Sequence, residues 1–493
     1  MKKTIALIVL ICISALCFGQ KIDNSQRDYP LVVSHYDLEL SFNFKEGILN
    51  GICDVKIENK SDSLITEIPF LLYRLMKVTS VQDQQGQGLN FIQSVVSFND
   101  FEKLQVNSII IDENIEPHNC KTLRIHYNGY LLGYQETGMK YIKDKISPEF
   151  TIIRNDAYSY PVLSKPSFSF LIRNVASNNF SYKLNVTVPD SLVVANGGRL
   201  LSRKTENGVS NYKYESKKNN WRIDIAISSY KYESTERLDI FYFPDDLTSA
   251  RALLAHGNET IQLYTQWWGK LKNDNSITLI ETEKQSGGQA DETAILLPQE
   301  SFNANDYTQL YHELSHLWNV KIVEKEGLSP RWEEGLATFI QYLVEEYYNP
   351  EKKGMIDKAS NGTLRKLKRN FNSDLEMFHI PMCEYGNRGK SNYSYDQGLV
   401  MFAVLYKWLG QEKFNLAIRS FYEKYHNSGA TTKDFTNLWE KTLKIKGLEE
   451  FFNDWVYTTN YTTFIKNDNT IDEIVKHYAH LSEFVVNSTL TDD

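Results

Sequence analysis

The chain has 493 residues, 42% hydrophobic and 24% charged, with 54 Lys and Arg against 62 Asp and Glu for a net charge of −8. At about 150 residues per domain this length predicts roughly three globular units, and the composition excludes a disordered, collagenous or disulfide-stapled chain. No basic stripe interleaves with aromatic residues, so nucleic acid is not an expected partner.

In chain order, Lys2 and Lys3 open the sequence, an apolar run covers residues 5–18, and small Gly19 precedes polar Gln20. This is the pattern of a secretory signal. The run is shorter than the about 20 apolar residues of a membrane span. Residues 1–19 are therefore expected to be removed, leaving no transmembrane anchor and an exported protein, periplasmic or extracellular. Leu16 stands where a lipoprotein signal ahead of Cys17 needs a small residue, which argues against lipidation. Cys12 and Cys17 leave with the signal, and Cys53, Cys120 and Cys383 allow one disulfide at most and lack the close pairing of a thiolate zinc site.

From Tyr36 to about Ser229 short alternating apolar runs are separated by turn residues, as in Tyr36-Asp37-Leu38-Glu39-Leu40 and Tyr182-Lys183-Leu184-Asn185-Val186. They predict a β domain of sheets or a sandwich over residues 20–235. After Pro244 helical spacing takes over, at 250–271, 307–323, 330–347, 397–409, 411–425, 433–443 and 448–456. The strong strand candidates in this part are 277–280 and 294–297. The fold class is therefore α+β: an N-terminal all-β domain, then a mostly α-helical domain with a small sheet over 236–465, and a short tail, 466–493. The basic run 365–369 reads as a solvated helix face, and His477 and His480 as surface residues of a helix.

His312-Glu313-Leu314-Ser315-His316 falls inside the apolar pattern Leu310, Tyr311, Leu314, Leu317, Trp318. Four residues turn about 400° on a helix, so both imidazoles share one face and can hold a single Zn²⁺. Glu313 lies one step round, within reach of a water beside that ion. The bland alternative is an amphipathic helix whose histidines merely pack, and a third ligand separates the two. Ser329-Pro330 is a helix start, and Glu333 or Glu334 just beyond it could complete a His₂Glu site with an open fourth position. Either could equally be a first-turn carboxylate that complements the helix dipole.

At this point the chain resembles the gluzincin family of aminopeptidase N and leukotriene hydrolase, whose pattern is His-Glu-x-x-His, eighteen residues, then Glu in an Asn-Glu-Gly-Phe/Leu-Ala context. Glu334-Gly335-Leu336-Ala337 matches that context, with seventeen intervening residues, 317–333, where the family has eighteen. The resemblance implies a thermolysin-like catalytic domain, one zinc ion on His312, His316 and Glu334, and Glu313 as general base. Tyr395-Asp396-Gln397-Gly398 corresponds to the family's Tyr-Glu-Lys-Gly, which implies that Tyr395 donates to the oxyanion, with Tyr393 as the nearby alternative. Phe451-Phe452-Asn453-Asp454-Trp455 is similar to the end of the family's catalytic domain.

The chain departs from the family at the edge of the cleft. Gly-x-Met-Glu-Asn, whose Glu captures the substrate's free amine, is here Gly287-Gly288-Gln289-Ala290-Asp291. The main chain of such a strand binds extended peptide whatever its side chains, but Ala290 has no charge to offer. Asp291 or Glu292 are the candidate substitutes, and alternation along a strand lets one parity face the cleft. Larger family members continue into a β-sandwich and a helical domain that roofs the site, so the chain is expected to be a short form with a more open cleft. The resemblance implies a metallopeptidase acting on peptides, most nearly an aminopeptidase. The alternatives are a zinc endopeptidase or other hydrolase without amine anchoring, and a secreted peptide-binding protein without catalysis.

Overall fold

Alternating burial organises the first half of the chain. In Ile48–Asn59 every second residue, from Leu49 through Cys53, Val55 and Ile57 to Asn59, is buried while the residues between face outward in part. Such a strand needs a partner layer on one face. The computed structural model, which describes residues 29–488 apart from 176, 177, 274, 303–305, 325–327 and 387, supplies it. The export segment, residues 1–19, lies outside the described residues.

Leu31–Asn43 pairs antiparallel with Ile48–Asn59 and parallel with Ser181–Pro189 inside a seven-stranded sheet. A four-stranded sheet, including Ile65–Tyr73 and Phe101–Ile115, joins it around one core that contains Leu38, Cys53, Phe70 and Ile125. Cys53, Cys120 and Cys383 are free thiols.

The second half is built on a five-stranded sheet. Leu238–Tyr242, Ile277–Thr282 and Ala294–Pro298 run parallel, with Lys231–Ser234 on one edge and the two-residue strand Gln289–Ala290 on the other. Ile277–Thr282 is buried at every position, as befits a central strand covered on both faces. The sequence offered 277–280 and 294–297 as strands, but the hairpin 231–242 joins the same sheet, so residue 236, the expected start of the second domain, falls inside that hairpin. The helix Leu247–Trp268 makes the crossover between its two parallel neighbours.

The remaining helices stand close to their spacing-based positions, including Gln411–Tyr425, Thr432–Leu443 and Leu448–Phe452. Two differences bear on the site. The histidine helix, Thr308–Ser315, passes into a single 3₁₀ turn at His316–Trp318 and ends there, because Asn319 is extended. The tyrosine helix starts at Asn392 rather than 397, which puts Tyr395 inside it. The basic run lies on Met355–Ser373, where Lys366 and Lys368 pair with Asp396 and Asp468. Residues beyond 466 include the helix Ile471–Ser488, whose Ile471, Ile474 and Tyr478 enter the core of the second half while His477 faces solvent. The side chain of His480 lies outside the described part.

The glutamate helix, Trp332–Tyr348, crosses the tyrosine helix, Asn392–Leu409, at two glycines. A Cβ on Gly335 would stand 2.3 Å from Gly398 Cα and 2.7 Å from Ser394 O. Gly335→Ala is expected to force the helices apart and to cost about 1–3 kcal/mol, the usual penalty of overpacking. Denaturant unfolding measures it, and a loss below about 0.5 kcal/mol, the scatter of ordinary surface substitutions, contradicts the close crossing.

Candidate metal centre

Each site residue is delivered by the helix its local sequence builds. His312 projects from the histidine helix and His316 from the 3₁₀ turn that continues it, with ring centroids 5.0 Å apart and planes at 78°. Glu334 comes from the first turn of the glutamate helix, which Trp332 anchors by burial against Phe402 and Phe435. Glu334 Oε2 lies 3.6 Å from His312 Nε2 and 3.5 Å from His316 Nε2. One donor atom from each of the three falls within 4.8 Å of the others. Two imidazole nitrogens and a carboxylate oxygen at this spacing fit a tetrahedral zinc with an open fourth position.

Surrounding groups orient the donors. His312 Nδ1 is 3.1 Å from Gln341 Oε1, to which it donates when its Nε2 is free for metal. The side-chain amide of Asn319 lies 2.7 Å from His316 Nδ1. Arg331, in the left-handed region at φ 50°, donates from Nη2 to Glu334 Oε1 at 3.1 Å and leaves Oε2 turned to the histidines. Glu333 is not a donor in this set: its Oε2 is buried without a hydrogen-bond partner, and burial pushes its carboxyl up. Sequence spacing left the two glutamates level, and the direction of their side chains separates them.

Glu313 is buried beside the metal donors and accepts a 2.6 Å bond from Gln309 Nε2. Burial raises its carboxyl above the ordinary range, opposed by the two imidazoles and reinforced by Glu334. Tyr395 stacks on His312 with centroids 6.2 Å apart and planes at 11°. Burial, with the Glu334 charge, raises its hydroxyl far above neutral pH, so it remains a donor. Tyr393 packs instead on Phe371 and Tyr385. The other members of the tyrosine motif hold its helix: Asp396 pairs with Lys366, Gln397 Nε2 donates to Trp455 O at 2.8 Å, and Gly398 makes the crossing.

Of Gly287, Gly288, Gln289, Ala290 and Asp291, Gln289 and Ala290 form the edge strand of the sheet, with the two glycines before it and Asp291 in the turn after it. A Cβ on Gly288 would stand 2.2 Å from Glu313 Oε1. A cavity of about 530 Å³ opens beside Gly287 and Gly288, bounded by Tyr141, Glu300, Asp306 and Gln309. Neither candidate substitute for the missing carboxylate is available. Asp291 Oδ1 closes its own turn by accepting from Thr293 N, Thr293 Oγ1 and Ala294 N, and Glu292 pairs with Lys218 on the surface. Gln309 and Gln341 lie at helical spacing from Glu313 and Glu334, a signal the sequence carried. The strained Arg331 carried none.

Comparisons with known proteins agree with this geometry. Residues 289–455 match the peptidase family M1 domain. Aminopeptidase M1-D of Oryza sativa subsp. japonica is 21% identical over 328 residues, 61% of this chain and 36% of that protein. Aminopeptidase N of Lactococcus lactis subsp. cremoris is 25% identical over 160 residues, 31% of this chain and 19% of its own. The chain thus spans little more than a third of the longest-matching of these relatives. The fold is similar to an M1 zinc metallopeptidase from Deinococcus radiodurans, with a TM-score of 0.58 and 16% identity over 88% of this chain and 95% of that one. A point mutant of that protein, solved with a bound tripeptide substrate, matches with a TM-score of 0.59 and 16% identity over 87% of this chain and 94% of that one. The resemblance to the aminopeptidase N-type gluzincins therefore holds in sequence and in fold.

Proton competition at the donors gives a test. Burial pulls the His316 imidazole down, but the Glu334 carboxylate against it, with Glu313 and Glu333, outweighs burial and lifts it to about 9 in the metal-free chain. The stability this pairing lends the metal-free protein is complete below about pH 6.5 and is lost as pH rises through about 9. Metal entry must expel that proton, so apparent zinc affinity is expected to rise about tenfold per pH unit from about pH 7 to 9. Competition with a chelator across that range reads it, and a flat profile contradicts the assignment.

Proposed function

Because residues 289–455 match the peptidase family M1 domain, we propose that the protein is a zinc metallopeptidase that hydrolyses peptide bonds, most nearly an aminopeptidase. The observation that carries this reading is the convergence of His312, His316 and Glu334 beside a buried Glu313. Zinc on these donors supplies Lewis acidity, lowering the pKa of water from about 15.7 towards about 7 and polarising the scissile carbonyl.

The chain's own residues do the rest. Glu313 takes the proton of the attacking water and passes it to the leaving amine, a shuttle that suits a carboxyl raised by burial. The Tyr395 hydroxyl donates to the oxyanion as charge develops on the carbonyl oxygen. An extended peptide lies along the free side of Gln289–Ala290 through main-chain hydrogen bonds. The cavity beside Gly287 and Gly288 takes part of the substrate. No protein nucleophile is required. The pattern of Lys2, Lys3 and residues 5–18 supports export to the periplasm or beyond, and among the described residues no helix is long and apolar enough to cross a membrane.

A second reading, a zinc endopeptidase, is favoured by one observation: Ala290 offers no charge, and Asp291 and Glu292 are committed elsewhere. Paired peptides that differ by amino-terminal acetylation decide between the two. Cleavage that falls at least tenfold on acetylation supports the aminopeptidase, and equal rates support the endopeptidase.

Two substitutions test the chemistry. Glu313→Gln is expected to retain zinc by elemental analysis yet lose hydrolysis by about 10²–10⁴-fold, the usual range for a positioned acid–base group. Unchanged turnover would remove Glu313 from the mechanism. Tyr395→Phe is expected to lower kcat about 10²–10³-fold, as loss of an oxyanion donor does, with KM little altered.

A further inference from the structure

We propose that Gln289 is a positioning residue that fastens the substrate-facing edge strand to the β domain, so that the β domain fixes where this strand lies against Glu313. The inference rests on the peptidase reading above and adds a residue and a domain to its site.

The strand is held firmly at one end only. It pairs at two positions, Gln289 with Leu296 and Ala290 with Ile295, and beyond them Asp291 N donates to Ala294 O at 2.8 Å in the turn. Gly287 and Gly288 precede it, Gly287 at φ 72° in the left-handed region, and glycine gives the chain its greatest conformational freedom. A two-residue ladder behind two glycines is weak support for a surface that must receive a peptide in one register.

Within the strand itself, the tie to the N-terminal half comes from the side chain of Gln289. Its Oε1 accepts from Arg222 Nη2 at 2.8 Å and from Arg154 Nη1 at 3.3 Å, and its Nε2 donates to Asp156 Oδ1 at 3.0 Å. All three partners come from the N-terminal half and are held beforehand. Arg154 forks onto Asp144 at 2.6 and 2.9 Å, and Arg222 onto Asp224 at 2.7 Å through two nitrogens, with a further 2.7 Å bond to Asp156. Arg154 and Arg222 are almost fully buried. Burial works against the Asp156 carboxylate, but Arg222, Arg154 and the Gln289 bond outweigh it and hold it charged. A primary amide can both accept from a guanidinium and donate to a carboxylate, and it does both here without adding charge to a cluster of two arginines and three aspartates. Bonds to ionised partners are the stronger kind.

The other side of the strand touches the catalytic helix. A Cβ on Gly288 would stand 2.2 Å from both Glu313 Oε1 and Gln309 Nε2. A contiguous path therefore runs from Arg222 through Gln289 and Gly288 to Glu313. A strand released from the cluster loses its fixed distance to that carboxylate.

Hydrogen exchange on the full chain tests this without requiring turnover. Gln289→Leu is expected to speed exchange of residues 286–291 at least tenfold, with Ile277–Thr282, Thr308–Ser315 and zinc content unchanged. In the same variant KM for an extended peptide should rise at least fivefold while kcat stays within twofold. Wild-type exchange in 286–291, or an unchanged KM in a variant whose exchange has risen, overturns the proposal. If Gln289→Leu does not fold, Gln289→Asn, one methylene too short for the cluster, gives the same reading. Absence of peptide hydrolysis by the wild type would count against the peptidase reading alone, because exchange still decides whether Gln289 holds the strand.

Discussion

The site depends on how closely two helices can approach. The glutamate and tyrosine helices cross with Gly335 against Gly398 at a separation that leaves no room for a side chain on either. That contact sets Glu334 and Tyr395 relative to each other, and burial of Trp332 locks one helix onto the core. The histidine helix then needs only to lie across them for two imidazoles, a carboxylate and a phenol to meet. Close-packed interiors transmit such constraints because they do not yield by small amounts.

The electrostatics of the centre follow from putting three carboxyl groups, Glu313, Glu333 and Glu334, beside two imidazoles and one guanidinium. Glu334 takes most of the compensation: burial opposes its charge, but His316, bonds from both histidines and Arg331 hold it well below the ordinary carboxylate range. Glu313 and Glu333 are left with less and rise. Carboxyls of the same chemistry thus divide into one held well below the ordinary carboxylate range and two raised above it. Against burial, Arg331 pulls both Glu334 and Glu333 down, after the histidines in the case of Glu334, and it adopts a left-handed backbone that a non-glycine residue seldom takes.

The β half is more than a neighbour of the catalytic half. Its buried Arg154, Asp156 and Arg222 meet the sheet edge through a single amide, and the hairpin 231–242 leads directly into the catalytic sheet. The cleft wall is therefore shared. Position 290, where the resemblance calls for a glutamate, is an alanine, and its neighbours Asp291 and Glu292 are engaged elsewhere. What the strand gains from Gln289 is location, and what it lacks is charge.

Periodicity made the architecture legible. Alternation over 36–229 and helical spacing after 244 yielded the sheets and most of the helices, whereas Met355–Ser373 showed only as a basic face and Ile471–Ser488 only as a tail. His312, Glu313 and His316 were legible because four residues on a helix bring side chains to one face whatever surrounds them. The early start of the tyrosine helix was not, because polar Asn392, Ser394 and Asp396 bear no apolar period and are held by contacts such as Ser394 Oγ to Pro330 O and Asp396 to Lys366. By itself the sequence determined which residues could share a face and which could bind a metal, since both follow from local geometry and side-chain chemistry. Spacing left Glu333 and Glu334 level and the resemblance pointed to Glu334 and Tyr395; the tertiary structure turns Glu334 to the histidines and stacks Tyr395, rather than Tyr393, on His312. It also decided that Gln289 reaches two arginines 67 and 135 residues away. Those choices are long-range, and they are made by packing between elements whose separation in the chain carries no period to read.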